Sequence, residues 1–237
     1  MSKKGKIVIG VCAALLAAAA LTTAAFIIRA VRREQKKKEL RQAYETFYNE
    51  HVERFARENE SVSGVDAVFL GDSLTEGYDL GRYFPEYKVL NRGIAGDTTL
   101  GLEKRLKVSA YDVRPRAVAV LIGANNFDTM AENYEAIVTG LKENLPEAKI
   151  ILLSLTAMDG EWARRNPDAI RNNEFIKELA AKHGCAYVDL FTPLLDESTG
   201  RAREGYTIDG GHLTAEGYAV VTNAILPALK TALGEGE

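Results

Sequence analysis

Short apolar runs alternate with amphipathic stretches from residue 65 to the end of the chain. The runs predict β-strands at residues 67–70, 88–91, 117–122, 149–155 and 186–190. Four of them are nearly continuous in apolar residues, which is typical of parallel strands covered on both faces. Alternation of strand and helix therefore predicts an α/β fold, a doubly wound three-layer α/β/α sandwich around a five-stranded parallel sheet.

Capping residues mark the ends of the predicted helices. Thr129 and Glu132 have the spacing of a capping box at the start of an amphipathic stretch. Asn166, followed by proline, is expected to cap a helix that closes at Gly184. The last helix is predicted over residues 214–233, and an earlier one begins near Asp97.

The N-terminus carries a different pattern, an uncharged apolar run at residues 7–28. A transmembrane helix needs about 20 such residues, so the run predicts a membrane-spanning segment. A cleaved signal peptide is the alternative, because Lys3, Lys4 and Lys6 precede the run and small residues lie within it. We favour an uncleaved anchor, since the apolar run continues past those small residues.

The side of the membrane is left open by the charges around this segment. Basic residues crowd the stretch directly after it, which favours a cytoplasmic domain: Arg29, Arg32, Arg33, Lys36, Lys37, Lys38 and Arg41. The signal-like N-terminus favours the opposite side. We favour an extracytoplasmic location for the main domain.

Residues 29–62 form a charged stretch without Pro or Gly. Its apolar positions recur at helical spacing and include Tyr44, Phe47, Tyr48, Val52 and Phe55. This pattern predicts a helical juxtamembrane stalk, whose aromatic stripe either packs on the main domain or lies in a solvated linker. The predicted domains are thus an anchor at residues 1–28, the stalk at 29–62 and the main domain at 63–237.

Composition narrows the functional classes. A net charge of −3 gives no general attraction to nucleic acid. Two cysteines, Cys12 and Cys185, provide neither a disulfide framework nor a metal cluster. The chain has no clustered Cys, His, Asp and Glu pattern, so we expect no metal and no cofactor.

Four separated stretches carry residues suited to one reaction. Ser73 comes after the first strand, and a serine becomes nucleophilic when a base takes its proton. His212 is the candidate base, and Asp209 can fix its tautomer. The N–H groups of Ser73 and Gly96 and the side-chain amide of Asn125 can form an oxyanion hole.

These stretches resemble the SGNH, or GDSL-type, hydrolase family in GDSLTEG, NRGIAGDTT, IGANN and HLTAEGY. Within it they are most similar to the catalytic subunits of platelet-activating-factor acetylhydrolase and related bacterial esterases. The resemblance implies a flavodoxin-like sheet of strand order 2-1-3-4-5 and hydrolysis of short acyl esters. It also implies catalysis by Ser73, His212 and Asp209, with an oxyanion hole formed by Ser73, Gly96 and Asn125.

The expected function is that of a membrane-anchored serine esterase acting on short, acetyl-type esters of glycans or lipids through an acyl-enzyme. The segment from Met158 to Arg165, with Trp162, is expected to shape the pocket. Three alternatives remain: an O-acyltransferase with the same site, a lysophospholipase-type lipid esterase, and a membrane-tethered binding protein. Release of free acid, with and without an alcohol acceptor, separates hydrolysis from transfer.

Overall fold

A computed structural model describes residues 2–235, with the backbone alone at residues 4, 6–21, 24 and 25. The chain divides into two units, Met1–Glu50 and His51–Glu237. Helix α1 has the bounds Lys3–Asn59. In the first unit its surface carries exposed ion pairs such as Arg41 with Glu45, at 3.2 Å.

Within the described part of the chain, no helix combines the length and apolar character needed to cross a membrane. Most side chains of the predicted span, residues 7–28, lie outside the described residues. The membrane anchor therefore stays a prediction, as do the predicted domain boundaries.

The second unit is built on a five-stranded sheet. Its strands are β1 (Ala67–Gly71), β2 (Val89–Gly93), β3 (Ala117–Leu121), β4 (Lys149–Leu153) and β5 (Ala186–Val188). Their order in the sheet is β2-β1-β3-β4-β5, and all neighbouring strands are parallel. The predicted sheet and strand order are confirmed.

The central strands are buried on both faces. Every residue of β1 and β3 is buried. Because successive side chains of a strand point to opposite faces, both faces of the sheet are covered at these strands. Helices must therefore cover both faces, and the fold is an α/β fold of three layers. Gly71 of β1 pairs with Gly93 of β2 and Leu121 of β3, so the carboxyl ends of these strands are level. That edge is where α/β sheets bind ligands.

Seven helices come after α1 in the described chain. They are α2 (Ser73–Glu76), α3 (Leu80–Tyr83), α4 (Thr99–Lys104), α5 (Met130–Asn144), α6 (Asn166–His183), α7 (Phe191–Leu194) and α8 (Ala215–Ala232). A π-helical turn at Lys107–Tyr111 and a 3₁₀ helix at Gly160–Arg165 complete the helical segments. Strands β6 (Leu195–Asp196) and β7 (Arg201–Ala202) form a small antiparallel pair.

Two predicted helix starts differ in detail from the structure. Thr129 is the N-cap of α5, but its side chain makes no cap hydrogen bond. Its hydroxyl accepts from Asn126 Nδ2 at 3.3 Å. Asn166 is the first residue of α6 and not its cap. Its amide is used elsewhere: Oδ1 accepts from Met158 N and Nδ2 donates to Met158 O, both at 2.9 Å.

The last turns of α1, which belong to the second unit, join the domain through a buried arginine. Arg92 on β2 has a side chain 1% exposed and pairs with Glu58. Its Nη2 donates to Asn59 Oδ1 at 2.8 Å, and the guanidinium lies 4.6 Å from the ring centre of buried Phe55. An ion pair, a hydrogen bond and a cation–π contact together offset the desolvation of this charge.

Candidate active site

The loop between β1 and α2 places Ser73 at the carboxyl edge of the sheet. Asp72 is the N-cap of α2, and its Oδ1 accepts from Leu74 N at 3.1 Å. Ser73 is the first residue of that helix, so its own N–H is among those left without an intrahelical acceptor. Burial raises the pKa of Asp72 from 3.8 to about 7, because desolvation disfavours the carboxylate.

Ser73, His212 and Asp209 form a continuous chain of hydrogen bonds. His212 Nε2 lies 2.9 Å from Ser73 Oγ, and His212 Nδ1 lies 2.7 Å from Asp209 Oδ2. An ionised carboxylate can only accept, so Nδ1 carries the proton of the neutral ring. Nε2 is then free to accept the hydroxyl proton of Ser73, as a general base must.

Two neighbouring backbone N–H groups orient the Asp209 carboxylate. Its Oδ1 accepts from His212 N at 2.8 Å and from Gly211 N at 3.0 Å. The His212 N–H and the contact with the imidazole lower the pKa of Asp209 well below its usual range. A β-bridge between Thr207 and Leu213 closes the turn that carries both residues.

The expected oxyanion donors lie on neighbouring loops. Asn125 comes after β3, and its Nδ2 donates to Asp97 O at 2.9 Å, which leaves the second amide hydrogen for another acceptor. Gly96 comes after β2 with φ +77 and is exposed. Among the described residues, no backbone acceptor bonds to the Gly96 N–H. The hydrogen bond from Asn125 Nδ2 to Asp97 O connects the loop after β3, which carries Asn125, to the loop after β2, which carries Gly96.

A cavity of about 110 Å³ opens beside Ser73 and His212. Its walls are mainly apolar and include Leu74, Ala124, Phe127, Leu155, Met158 and Trp162. Asn125 and Asp209 also border it. Met158 and Trp162 belong to the segment expected to shape the pocket. An apolar cavity with a few polar groups at one end is typical of small-molecule sites.

Arg105 is a buried residue that no pattern in the sequence singled out. Its Nε donates to Asp97 Oδ2 at 2.8 Å, and its Nη2 donates to Gly71 O at 2.9 Å. Nη1 donates to Arg92 O at 2.8 Å. The guanidinium thus joins the ends of β1 and β2 to the loop after Gly96. One feature of the sequence could have indicated its burial. Arg105 lies between two apolar residues, Leu102 and Leu106, which are both buried.

The other two histidines pair with glutamates and not with Ser73 or Asp209. His183, at the end of α6, pairs with Glu135 at 3.3 Å, and His51 pairs with Glu76 at 2.6 Å. In the part of the chain that the structure describes, no three His, Cys, Asp or Glu side chains are grouped to hold a metal ion.

Comparison with known proteins decides the family. Residues 69–220 match the GDSL-like lipase/acylhydrolase family. The chain belongs to this family. It is therefore an ester hydrolase of the GDSL type, and the matched region contains all five predicted site residues.

Two curated relatives of this GDSL-like hydrolase are acetylhydrolase subunits. Platelet-activating factor acetylhydrolase IB subunit alpha2 of Homo sapiens is 34% identical over 174 residues, which cover 66% of this chain and 72% of that protein. The alpha1 subunit of Pongo abelii is 29% identical over 186 residues, covering 73% and 78% respectively.

Solved structures share the fold. A GDSL-like lipase from Bacteroides thetaiotaomicron is 26% identical with a TM-score of 0.68, covering 78% of this chain and 99% of its own. An acetylxylan esterase mutant from Geobacillus stearothermophilus is 19% identical with a TM-score of 0.59, covering 70% and 94%. The second likeness concerns the fold alone.

Proposed function

We propose that this GDSL-type hydrolase is a serine esterase that cleaves short acyl esters through an acyl-enzyme. The observation that carries the proposal is the hydrogen-bonded chain from Asp209 through His212 to Ser73, at the mouth of an apolar cavity. Nucleophile, base and orienting carboxylate are the three groups that acyl transfer requires.

In the first half-reaction, Ser73 Oγ bonds to the ester carbonyl carbon while His212 Nε2 takes the hydroxyl proton. Asp209 stabilises the imidazolium that results. The negative carbonyl oxygen is held by the N–H groups of Ser73 and Gly96 and by the Asn125 amide. When the C–O bond of the ester breaks, His212 passes its proton to the leaving alcohol and the acyl group stays on Ser73.

The second half-reaction repeats these steps with water as the nucleophile. His212 takes a proton from water, the hydroxide adds to the acyl carbon, and the Ser73 ester bond breaks. The proton then returns to Ser73 Oγ and the acid is released. His212 and Asp209 are each 51% exposed, so solvent reaches the base directly.

The cavity and the relatives both bear on the substrate class. A cavity of about 110 Å³ lined by Leu74, Phe127 and Met158 suits a short apolar acyl chain. The curated relatives bear the name acetylhydrolase, which supports an acetyl-type group. We propose short, acetyl-type esters of glycans or lipids as substrates, with a lysophospholipase-type lipid esterase as the alternative.

The proposed enzyme is anchored to a membrane by residues 7–28, with its catalytic domain on the extracytoplasmic side. The length and the uncharged character of this run support the anchor. The signal-like lysines before the run support export of the catalytic domain.

A fluorophosphonate probe tests the proposal directly, because it phosphonylates a serine that an adjacent base has activated. We expect mass spectrometry to locate the adduct on Ser73 and ester hydrolysis to stop as it forms. An unlabelled chain without activity on any ester would favour the binding-protein alternative. Acid release that falls when an alcohol is added, with formation of a new ester, would identify an acyltransferase.

A further inference from the structure

The carboxylate of Glu76 joins three parts of the domain. Glu76 ends the one-turn helix that Ser73 begins. Its Oε2 accepts from Ala95 N at 2.9 Å, and its Oε1 accepts from His51 Nε2 at 2.6 Å. The side chains of His51 and Glu76 are only 15% and 29% exposed, so these bonds are largely sheltered from water. One carboxylate therefore connects the nucleophile helix, the loop after β2 and the end of α1.

The nucleophile helix itself is fixed against β2. A Cβ at Gly93 would lie 2.1 Å from Glu76 N, so only glycine permits this approach of the two backbones. Asn91 Nδ2 donates to Thr75 O at 2.6 Å and to Tyr78 O at 3.0 Å. Glu76 is consequently carried by a backbone that is locked in place, and its carboxylate is a firm attachment point.

The loop that needs such an attachment carries Gly96. Ala95 directly precedes Gly96, and the backbone N–H of Gly96 is part of the peptide that joins them. On one side of this peptide, Ile94 N donates to Gly71 O at 3.1 Å. On the other side, Arg105 Nε donates to Asp97 Oδ2 at 2.8 Å. Between these two points, the turn bond from Asp97 N to Ile94 O, at 3.1 Å, closes the segment, and the hydrogen bond from Ala95 N to Glu76 attaches it to the nucleophile helix.

We propose that Glu76, which is held in place by its hydrogen bond with His51, is a positioning residue that orients the Gly96 N–H toward the carbonyl oxygen of the substrate. The inference rests on the proposed function, in which Gly96 is an oxyanion donor. It also gives the end of α1 a role in catalysis, because His51 belongs to that helix. An oxyanion hole works only when its donors are preorganised, and small displacements reduce the rate strongly.

The test uses the full chain and a pair of substrates, a short-chain ester and its thiono analogue. Sulfur accepts hydrogen bonds weakly, so the thiono ester depends little on the oxyanion hole. We expect Glu76→Ala to lower kcat on the oxygen ester about 10–100-fold, with KM and the thiono rate changed by less than about threefold. Glu76→Gln keeps a carbonyl acceptor for Ala95 N, and should restore the oxygen-ester rate to within about threefold.

His51 is tested in the same assay. His51→Ala should lower kcat on the oxygen ester by about 3–10-fold, and His51→Gln, which keeps an N–H donor, should lower it less. Because His51→Ala leaves Glu76 and Ala95 in place, it carries the test if Glu76→Ala fails to fold. The matched controls are His183→Ala and Glu135→Ala, which break a histidine–glutamate pair at the far end of α6 and should leave both rates unchanged.

Equal losses on both esters would overturn the inference, because they indicate a general loss of structure. Unchanged kcat in Glu76→Ala and His51→Ala would overturn it as well. A wild-type chain that hydrolyses neither ester and resists the fluorophosphonate would instead refute the proposed function, and the inference with it.

Discussion

Arg105 and Asp97 form an ion pair inside the catalytic domain, with Nε and Oδ2 2.8 Å apart and both side chains 1% exposed. Burial raises the pKa of Asp97, and the Arg105 guanidinium opposes that rise. Removing the arginine would leave a buried carboxylate without its partner, which is far more destabilising than the loss of a surface pair. The pair also supports the site, since Arg105 donates to Gly71 O just before Asp72 and Ser73.

We expect Arg105→Met to lower the free energy of unfolding by about 3–5 kcal/mol, as measured by urea denaturation. The control is Arg171→Met, which removes an arginine 64% exposed from its pair with Asp168 and should change stability by less than about 1 kcal/mol. Similar values for the two variants would show that the buried pair adds nothing beyond a surface contact.

Asp72 gives the stability of the domain a defined pH dependence. The unfolded carboxyl releases its proton near 3.8 and the folded one near 7. Between these values the folded state binds the proton more tightly, so raising the pH weakens folding until the folded group ionises. Asp72→Asn keeps an acceptor for Leu74 N and removes the titration.

Denaturation of both proteins between pH 4 and pH 7 checks this window, which is set by the two pKa values. The stability of Asp72→Asn relative to wild type should rise by up to about 1.4 kcal/mol per pH unit and level off above the window. A difference that does not vary with pH would mean that the folded carboxyl titrates at its ordinary value.

The strands could be predicted because burial on both faces demands continuous apolar runs, as in β1 and β3. Strand ends were predicted less well: the fourth run extends to residue 155, whereas β4 ends at Leu153. Beyond that point Leu155 N bonds to Asn173 Oδ1, a side chain distant in sequence. An apolar run does not show where the backbone stops bonding to a neighbouring strand and bonds to a side chain instead.

The residues of the candidate site, like the strands, could be predicted only in part. Ser73, Asn125, His212 and Asp209 could be selected because their residue types suit the chemistry. Glu76 could not, because its partners His51 and Ala95 lie 25 and 19 residues away in sequence. Asn166 matched a local capping pattern, yet its side-chain amide bonds to Met158 and to Gly200 O, 34 residues away. Polar groups that act through long-range contacts leave little trace in local patterns.

Asp209→Asn should lower kcat on a soluble ester by about 10²–10⁴-fold while KM changes little. An amide can donate to His212 Nδ1, which would leave the proton on Nε2 and prevent it from accepting from Ser73. Asp112→Asn, in an exposed pair with Lys107, is the control and should be fully active. Activity of Asp209→Asn near the wild-type level would exclude Asp209 as the orienting carboxylate.

Removal of residues 1–28 should give a soluble protein that still hydrolyses a small water-soluble ester, because the proposed catalytic residues all lie beyond β1. The full chain should stay in the membrane fraction under alkaline carbonate, since a spanning helix resists extraction. Protease added to intact cells should digest the catalytic domain if it is extracytoplasmic. Release of the full chain by carbonate would contradict the anchor.

Ser73 is the nucleophile of the proposed mechanism, and the turnover of Ser73→Ala on a short-chain ester measures how far hydrolysis depends on it. Ser61→Ala, at an exposed serine outside the site, serves as the matched control. We predict that Ser73→Ala loses kcat by about 10³–10⁶-fold with its unfolding curve unchanged, while the control keeps full activity. A Ser73→Ala protein that retained more than about a tenth of the wild-type kcat would contradict it, because such a loss is far too small for a removed nucleophile.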